Sequence, residues 1–146
     1  MAALTKSFET YERPGLVVSY KVSNTKVYKG AAVGVNASGY IVPMAHGTAS
    51  LKFVGVANDT VDNSSGTAGD KSVNVTKSGS FVYRAMAGFT PTVADLGKEV
   101  YAVTDWDVQV ATAGLTNLYK TGTIVAVETT STGETGVRVR VDNYSL

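Results

Sequence analysis

Residues 51–83 read LKFVGVANDTVDNSSGTAGDKSVNVTKSGSFVY, and their pattern sets the expected fold. Two runs of strand character, 51–57 and 72–83, flank a polar loop holding Asp59, Asp62, Asn63, Gly66, Gly69 and Asp70. Within each run apolar residues tend to fall two apart. Successive side chains of a strand point to opposite faces, so each run is expected to bury one face and wet the other. Nothing in the stretch resembles a reaction centre. It predicts an all-β module made to sit against other proteins.

The flanking chain extends the pattern. Upstream, residues 16–22 read as a strand, with Leu16, Val18, Tyr20 and Val22 on one face and Ser19 and Lys21 on the other. Short runs follow at 26–28, 31–35 and 40–42, separated by Gly30 and by residues 36–39. Strands this short and this closely spaced predict a small barrel or sandwich. Downstream, residues 90–97 read TPTVADLG, in which Thr92 caps a short helix and Gly97 ends it after one or two turns. Further strands are expected at 99–103, 106–110, 123–127 and 137–142. In the last, Val137, Val139 and Val141 alternate with Arg138, Arg140 and Asp142.

Composition bounds the function. A chain of 146 residues makes one domain and buries about two-thirds of its unfolded surface. Only 17% of it is charged, against roughly 25% in an average domain, so Ser, Thr, Asn and backbone must supply the polar surface. Low surface charge protects poorly against association, which favours an assembled protein. A net charge of +1 lacks the strong basic field of a general nucleic-acid binder. With no cysteine there is neither a disulfide framework nor a thiolate metal site. Residues 1–10 lack the features of a secretory signal, and no stretch approaches the ~20 apolar residues of a membrane helix. The expectation is a protein made in a cytoplasm, with no membrane partner. The Asn-x-Ser/Thr triplets at Asn36, Asn58, Asn63, Asn74 and Asn143 then read as chance.

Four constellations invite a chemical reading. Residues 66–72, GTAGDKS, approach a phosphate-binding loop, but Asp70 separates the glycine from Lys71 and puts negative charge where phosphate would lie. Asp59, Asp62, Asn63 and Asp70 offer oxygen ligands for calcium, yet their spacing fits no calcium loop and no glutamate supplies a bidentate ligand. The single histidine, His46, has no nucleophile elbow to serve, since no Gly-x-Ser-x-Gly occurs. These three read as solvated loops and turns, so neither a cofactor, a metal site nor an enzyme is expected. The fourth is aromatic. Trp106, Tyr83, Tyr101 and Tyr119 suit core filling, a subunit interface or a sugar-stacking platform, and the residues leave the three open. Arg138 and Arg140, on one strand face, suit either a solvated surface or acidic groups of a partner.

Residues 1–15, MAALTKSFETYERPG, differ from the rest. Leu4, Phe8 and Tyr11 fall at helical spacing in a segment too short for an isolated helix. They read as a frayed end, or as an arm that orders on a partner with those side chains as anchors.

Taken in order, the chain resembles the decoration, or cement, proteins encoded beside the major capsid protein of many tailed phages. The resemblance runs through residues 13–15 (RPG), 27–35 (VYKGAAVGV), 36–43 (NASGYIVP) and 53–57 (FVGVA). It continues through 62–70 (DNSSGTAGD), 79–81 (GSF), 95–103 (DLGKEVYAV), 122–127 (GTIVAV) and the closing strand 136–141. It thus covers residues 12–142, and its weight lies in the ordered series, since each piece alone is common. It implies a small β-rich body (residues 16–146), a barrel or sandwich of the β-tulip kind with one short helix, behind an extended N-terminal arm (residues 1–15). It implies no enzyme activity and no cofactor. The partners implied are the major capsid protein and further copies of the chain, as a homotrimer on the outside of the head at local three-fold positions. In that setting Leu4, Phe8, Tyr11, Arg13 and Pro14 become the capsid-binding arm. Tyr101, Trp106, Tyr119, Arg138 and Arg140 become candidates for subunit or capsid interfaces. The alternative expectation is a tail, fibre or head-surface module that binds host glycans through aromatics in a groove.

Overall fold

A computed structural model describes residues 5–7 and 15–143. The arm positions Leu4, Phe8, Tyr11, Arg13 and Pro14 lie outside the described residues. In chain order the strands are β1 (Val17–Lys21), β2 (Lys26–Val27), β3 (Ala32–Val35), β4 (Ile41–Pro43), β5 (Lys52–Ala57), β6 (Val61–Asp62), β7 (Ser72–Thr76), β8 (Ser78–Ala85), β9 (Glu99–Ala102), β10 (Asp107–Gln109), β11 (Lys120–Thr129) and β12 (Thr135–Asp142). The protein is all-β. Its one helical element among the described residues is a 3-10 turn at Val93–Asp95. Thr92 caps that turn by accepting from the Ala94 amide, while the Asp95 carboxylate accepts from the Thr92 amide. This is the reciprocal arrangement that satisfies two otherwise unpaired donors.

The strands form two halves. Five make a sheet in the order β1-β7-β5-β3-β4, and five close into a barrel in the order β10-β8-β12-β11-β9. The sheet also curls on itself. Val22, just past β1, bridges Ile41 of β4, and the Ser23 amide donates to the Ile41 carbonyl at 3.0 Å. Each half therefore encloses its own apolar cluster. Val22, Val27, Val33, Ile41, Val73 and Val75 fill the sheet half, and Tyr83, Val100, Val108, Ile124, Val137 and Val139 fill the barrel. Met44, Leu51 and Val56 rise from the sheet half into the barrel's cluster and join the two. The alternation in β12 does what its sequence predicts. Val137, Val139 and Val141 are buried, with Arg138 and Arg140 outside.

The run 72–83 is where the structure departs from the sequence reading. It is not one strand: the chain leaves the sheet and enters the barrel at Lys77, between β7 and β8. The Lys77 amide donates to the Leu16 carbonyl at the start of the sheet (2.8 Å). Its own carbonyl accepts from the Asn143 amide at the end of the barrel (3.0 Å). Its ammonium, folded inward, donates to the Tyr20 hydroxyl at 2.8 Å and sits over that ring. The two runs of residues 51–83 are neighbours only where Val56 faces Thr76 and Ala57 faces Val75. The loop between them contributes β6, which pairs with β2 in a ribbon of two strands. Close strand approach also explains two glycines. A side chain at Gly55 would meet the Thr76 carbonyl oxygen at 2.2 Å, and one at Gly122 the Arg140 carbonyl oxygen at 2.1 Å. Both stand beside irregularities in strand register, where backbones crowd.

Candidate functional site

The barrel closes through a short parallel pairing of β8 with β10, in which Arg84 faces Asp107 and Ala85 faces Val108. So brief a seam needs reinforcement, and side chains provide it. Arg84 grips Asp107 with two hydrogen bonds, Nε to Oδ1 at 2.5 Å and Nη2 to Oδ2 at 2.8 Å. Such forked, charge-assisted pairs fix geometry as well as supplying energy. Asp107 is itself buried, and the Thr104 hydroxyl turns the chain beneath it by accepting from the Asp107 amide. The Arg84 guanidinium then lies 3.5 Å from the centroid of the Trp106 ring. Trp106 is held in place by this stack, yet remains 41% exposed.

Beside the seam lies a cleft of about 520 Å³. Trp106 and Arg84 form part of its lining, Tyr28 and Lys29 come from the end of β2, and Ser131 from the β11–β12 turn. Tyr28 is 56% exposed, with the Lys26 ammonium over its ring at 4.8 Å. Two side chains in the lining are unusual. Tyr83 is buried, and its hydroxyl has no hydrogen-bond partner among the described residues. Burial raises its pKa, and the charge of Asp105 adds to that effect. Asp105 is half-buried, and desolvation raises its pKa despite a hydrogen bond from its own amide.

The sequence-predicted aromatics therefore separate. Tyr83 fills the core, as one of the readings had it. Trp106 does not; its ring stands at the mouth of the cleft, because Arg84 occupies the place a core neighbour would take. Tyr119 is a tether between loops, its hydroxyl donating to the Thr48 carbonyl (2.5 Å) and accepting from the Leu51 amide (3.2 Å). Tyr101 stands on the barrel's outer wall beside Glu99, which is paired with Lys120 at 3.0 Å. On the same wall Arg138 pairs with Glu128 at 3.5 Å, and Arg140 approaches Asp142 at 3.8 Å. Arg84, Tyr28 and Lys29, which complete the cleft, had no signal in the sequence. Arg84 and Asp107 are brought together only by closure of the barrel.

The remaining candidates resolve into structure. Asn63 is buried and donates from its amide to the carbonyls of Val22, Ser23 and Thr67 at 2.9–3.3 Å. Asp62 accepts from the Ser64 amide and hydroxyl, and Asp70 from the Thr67 amide. These are turn-forming bonds, and no group of three or more metal-binding side chains occurs among the described residues. Lys71 bonds the Asp62 carbonyl at 2.6 Å and leads into a strand, not a helix. The His46 ring nitrogen Nδ1 accepts from the Thr116 amide at 3.1 Å, which docks the 111–120 loop. Among the described residues no helix is long and apolar enough to cross a membrane. No protein-family model, no curated protein and no solved structure matches this chain.

Proposed function

We propose that this chain is a structural virion protein that binds the outer surface of the expanded phage capsid, as a trimer at local three-fold sites, and stabilises the head against internal DNA pressure. The observation that carries the reading is an apolar corner on the barrel's outer wall. Val93 is 80% exposed on the 3-10 turn, with Leu96 and Val125 also exposed. The hydrogen bond from the Gly97 amide to the Ile124 carbonyl (2.8 Å) holds that turn against β11. Around the corner the charges are already neutralised in local pairs, Lys98 with Asp95 and Lys120 with Glu99. An apolar surface rimmed by satisfied polar groups suits protein contact more than chemistry.

Tyr101, Arg138 and Arg140 lie on the same wall and are the proposed contacts of the body; Leu4, Phe8, Tyr11, Arg13 and Pro14 are those of the arm. A protein that binds only the expanded lattice stabilises that lattice by mass action. Several weak contacts on one trimer sum through effective concentration. No catalytic step is invoked. The test is cosedimentation of the purified protein with expanded and unexpanded heads that lack it. The reading expects saturable binding to expanded heads, weakened at least tenfold when Val93 and Leu96 are both replaced by Ser. Equal binding to both head forms, or to neither, contradicts it.

A further inference from the structure

The cleft at the barrel seam has a composition that capsid attachment does not use. Its two exposed rings, Tyr28 and Trp106, are each fixed by a cation, Lys26 and Arg84 respectively. Held rings lose little freedom when a ligand stacks on them. The ionic groups cancel. Arg84 is neutralised by Asp107, which leaves one cation, Lys29, and one anion, Asp105, in the lining. Hydrogen-bonding capacity nonetheless remains. The Lys29 ammonium and the Ser131 hydroxyl make no side-chain hydrogen bond among the described residues, and the Asp105 carboxylate accepts only from its own amide. The volume, about 520 Å³, falls within the usual range of small-ligand sites.

We propose that this cleft binds a neutral sugar ring, stacked by its C–H face on Trp106 and Tyr28 and bound through its hydroxyls to Asp105, Lys29 and Ser131. A polyhydroxylated ring matches the mixture of donors and acceptors, and its neutrality matches the balanced charge. An anionic ligand would meet the Asp105 carboxylate. An extended peptide would find no strand edge to pair with, because β8 and β10 are hydrogen-bonded to each other there. The inference rests on the cleft alone and holds independently of capsid attachment, so a head protein with such a site would also carry a weak adhesive surface.

Trp106 is the only tryptophan of the chain, so its fluorescence reports on the cleft without labelling. The full chain is titrated with the methyl glycosides of glucose, galactose, mannose and N-acetylglucosamine at millimolar concentrations. Fluorescence is read together with saturation-transfer NMR, and adenosine serves as a flat aromatic comparator. The expected result is a saturable response to at least one glycoside. Asp105→Asn and Tyr28→Ala should each weaken it about tenfold, the scale of one hydrogen bond to a charged group or one stacking contact. Leu118→Ala, exposed and outside the cleft lining, should leave it unchanged. Circular dichroism establishes that each variant is folded. Silence towards all four glycosides, equal affinity in the cleft variants and the wild type, or a response to adenosine alone overturns the proposal. Cosedimentation with heads is a separate readout, so either reading can fail without the other.

Discussion

At the scale of single residues, the informative side chains are polar ones placed inside. Asn63 joins three carbonyls from two segments, Val22 and Ser23 on one side and Thr67 on the other. In the sequence it is one more oxygen-bearing residue in an acidic loop. Only the fold turns its amide inward, and that is why a calcium reading was open on sequence alone. Replacing it by Ala removes those three bonds, although each carbonyl keeps a backbone donor, the Gly69, Thr25 and Asp70 amides respectively. At about 1 kcal/mol for each lost bond, Asn63→Ala is expected to cost about 2–4 kcal/mol. Urea unfolding should show a lower midpoint at unchanged slope, and a loss under about 0.5 kcal/mol would contradict the assignment. Tyr83 is the opposite case. Its hydroxyl is buried without a partner, so removing it relieves a desolvated group while keeping the ring in the core. Tyr83→Phe is expected to be neutral or stabilising by up to about 1 kcal/mol in the same experiment. A loss above that would mean the hydroxyl is engaged.

At the scale of elements, the capped turn and the strand periods were legible, whereas the partners of the strands were not. Thr92 and Asp95 carry their meaning locally, through bonds spanning three residues or fewer, and the turn formed where the sequence placed it. The alternation of β12 was equally local. The run 72–83 misled because its period never breaks. Val73 and Val75 point into the sheet half, Tyr83 into the barrel, and all lie in one phase across Lys77. A change of sheet that conserves phase leaves no mark in a pattern of period two. The capping carboxylate gives a pH prediction. The Asp95 pKa is lowered first by the hydrogen bond from Lys98 and then by the Thr92 amide. Its folded value thus lies below its unfolded one, so its contribution is complete above about pH 4 and fades as pH falls through the folded value. Asp62, Glu99 and Glu134 are shifted the same way by their own hydrogen bonds. Asp105, raised by burial, works in the opposite sense as pH falls, but the lowered carboxylates outnumber it, so stability measured from pH 7 downward should decline below about pH 4. Asp95→Asn should lower stability at pH 7 and converge with the wild type at the acid end. A gap that stays constant with pH would show that the carboxylate's charge plays no part in the cap.

At the scale of the whole molecule, the two cores are tied into one body by the backbone of Lys77 and by the side chain of Asn143. The latter leaves the barrel to donate to the Phe53 carbonyl of the sheet at 2.7 Å. The site is legible only at this scale. Trp106 was visible as an aromatic in a strand-like run, but its exposure depends on Arg84, from the other side of a seam that exists only once the barrel has closed. The apolar corner has the same origin: Val93 and Val125 are far apart in sequence and share a surface because the 3-10 turn is bonded to β11. The proposed role, attachment to a viral shell through shared surface, is tested most directly by electron microscopy of expanded phage heads imaged with and without the purified protein. The account predicts added density outside the shell at local three-fold positions, three copies to a site, with the barrel's outer wall turned to a neighbouring subunit. Heads identical in the two images, or density elsewhere than on the outer surface, would contradict it.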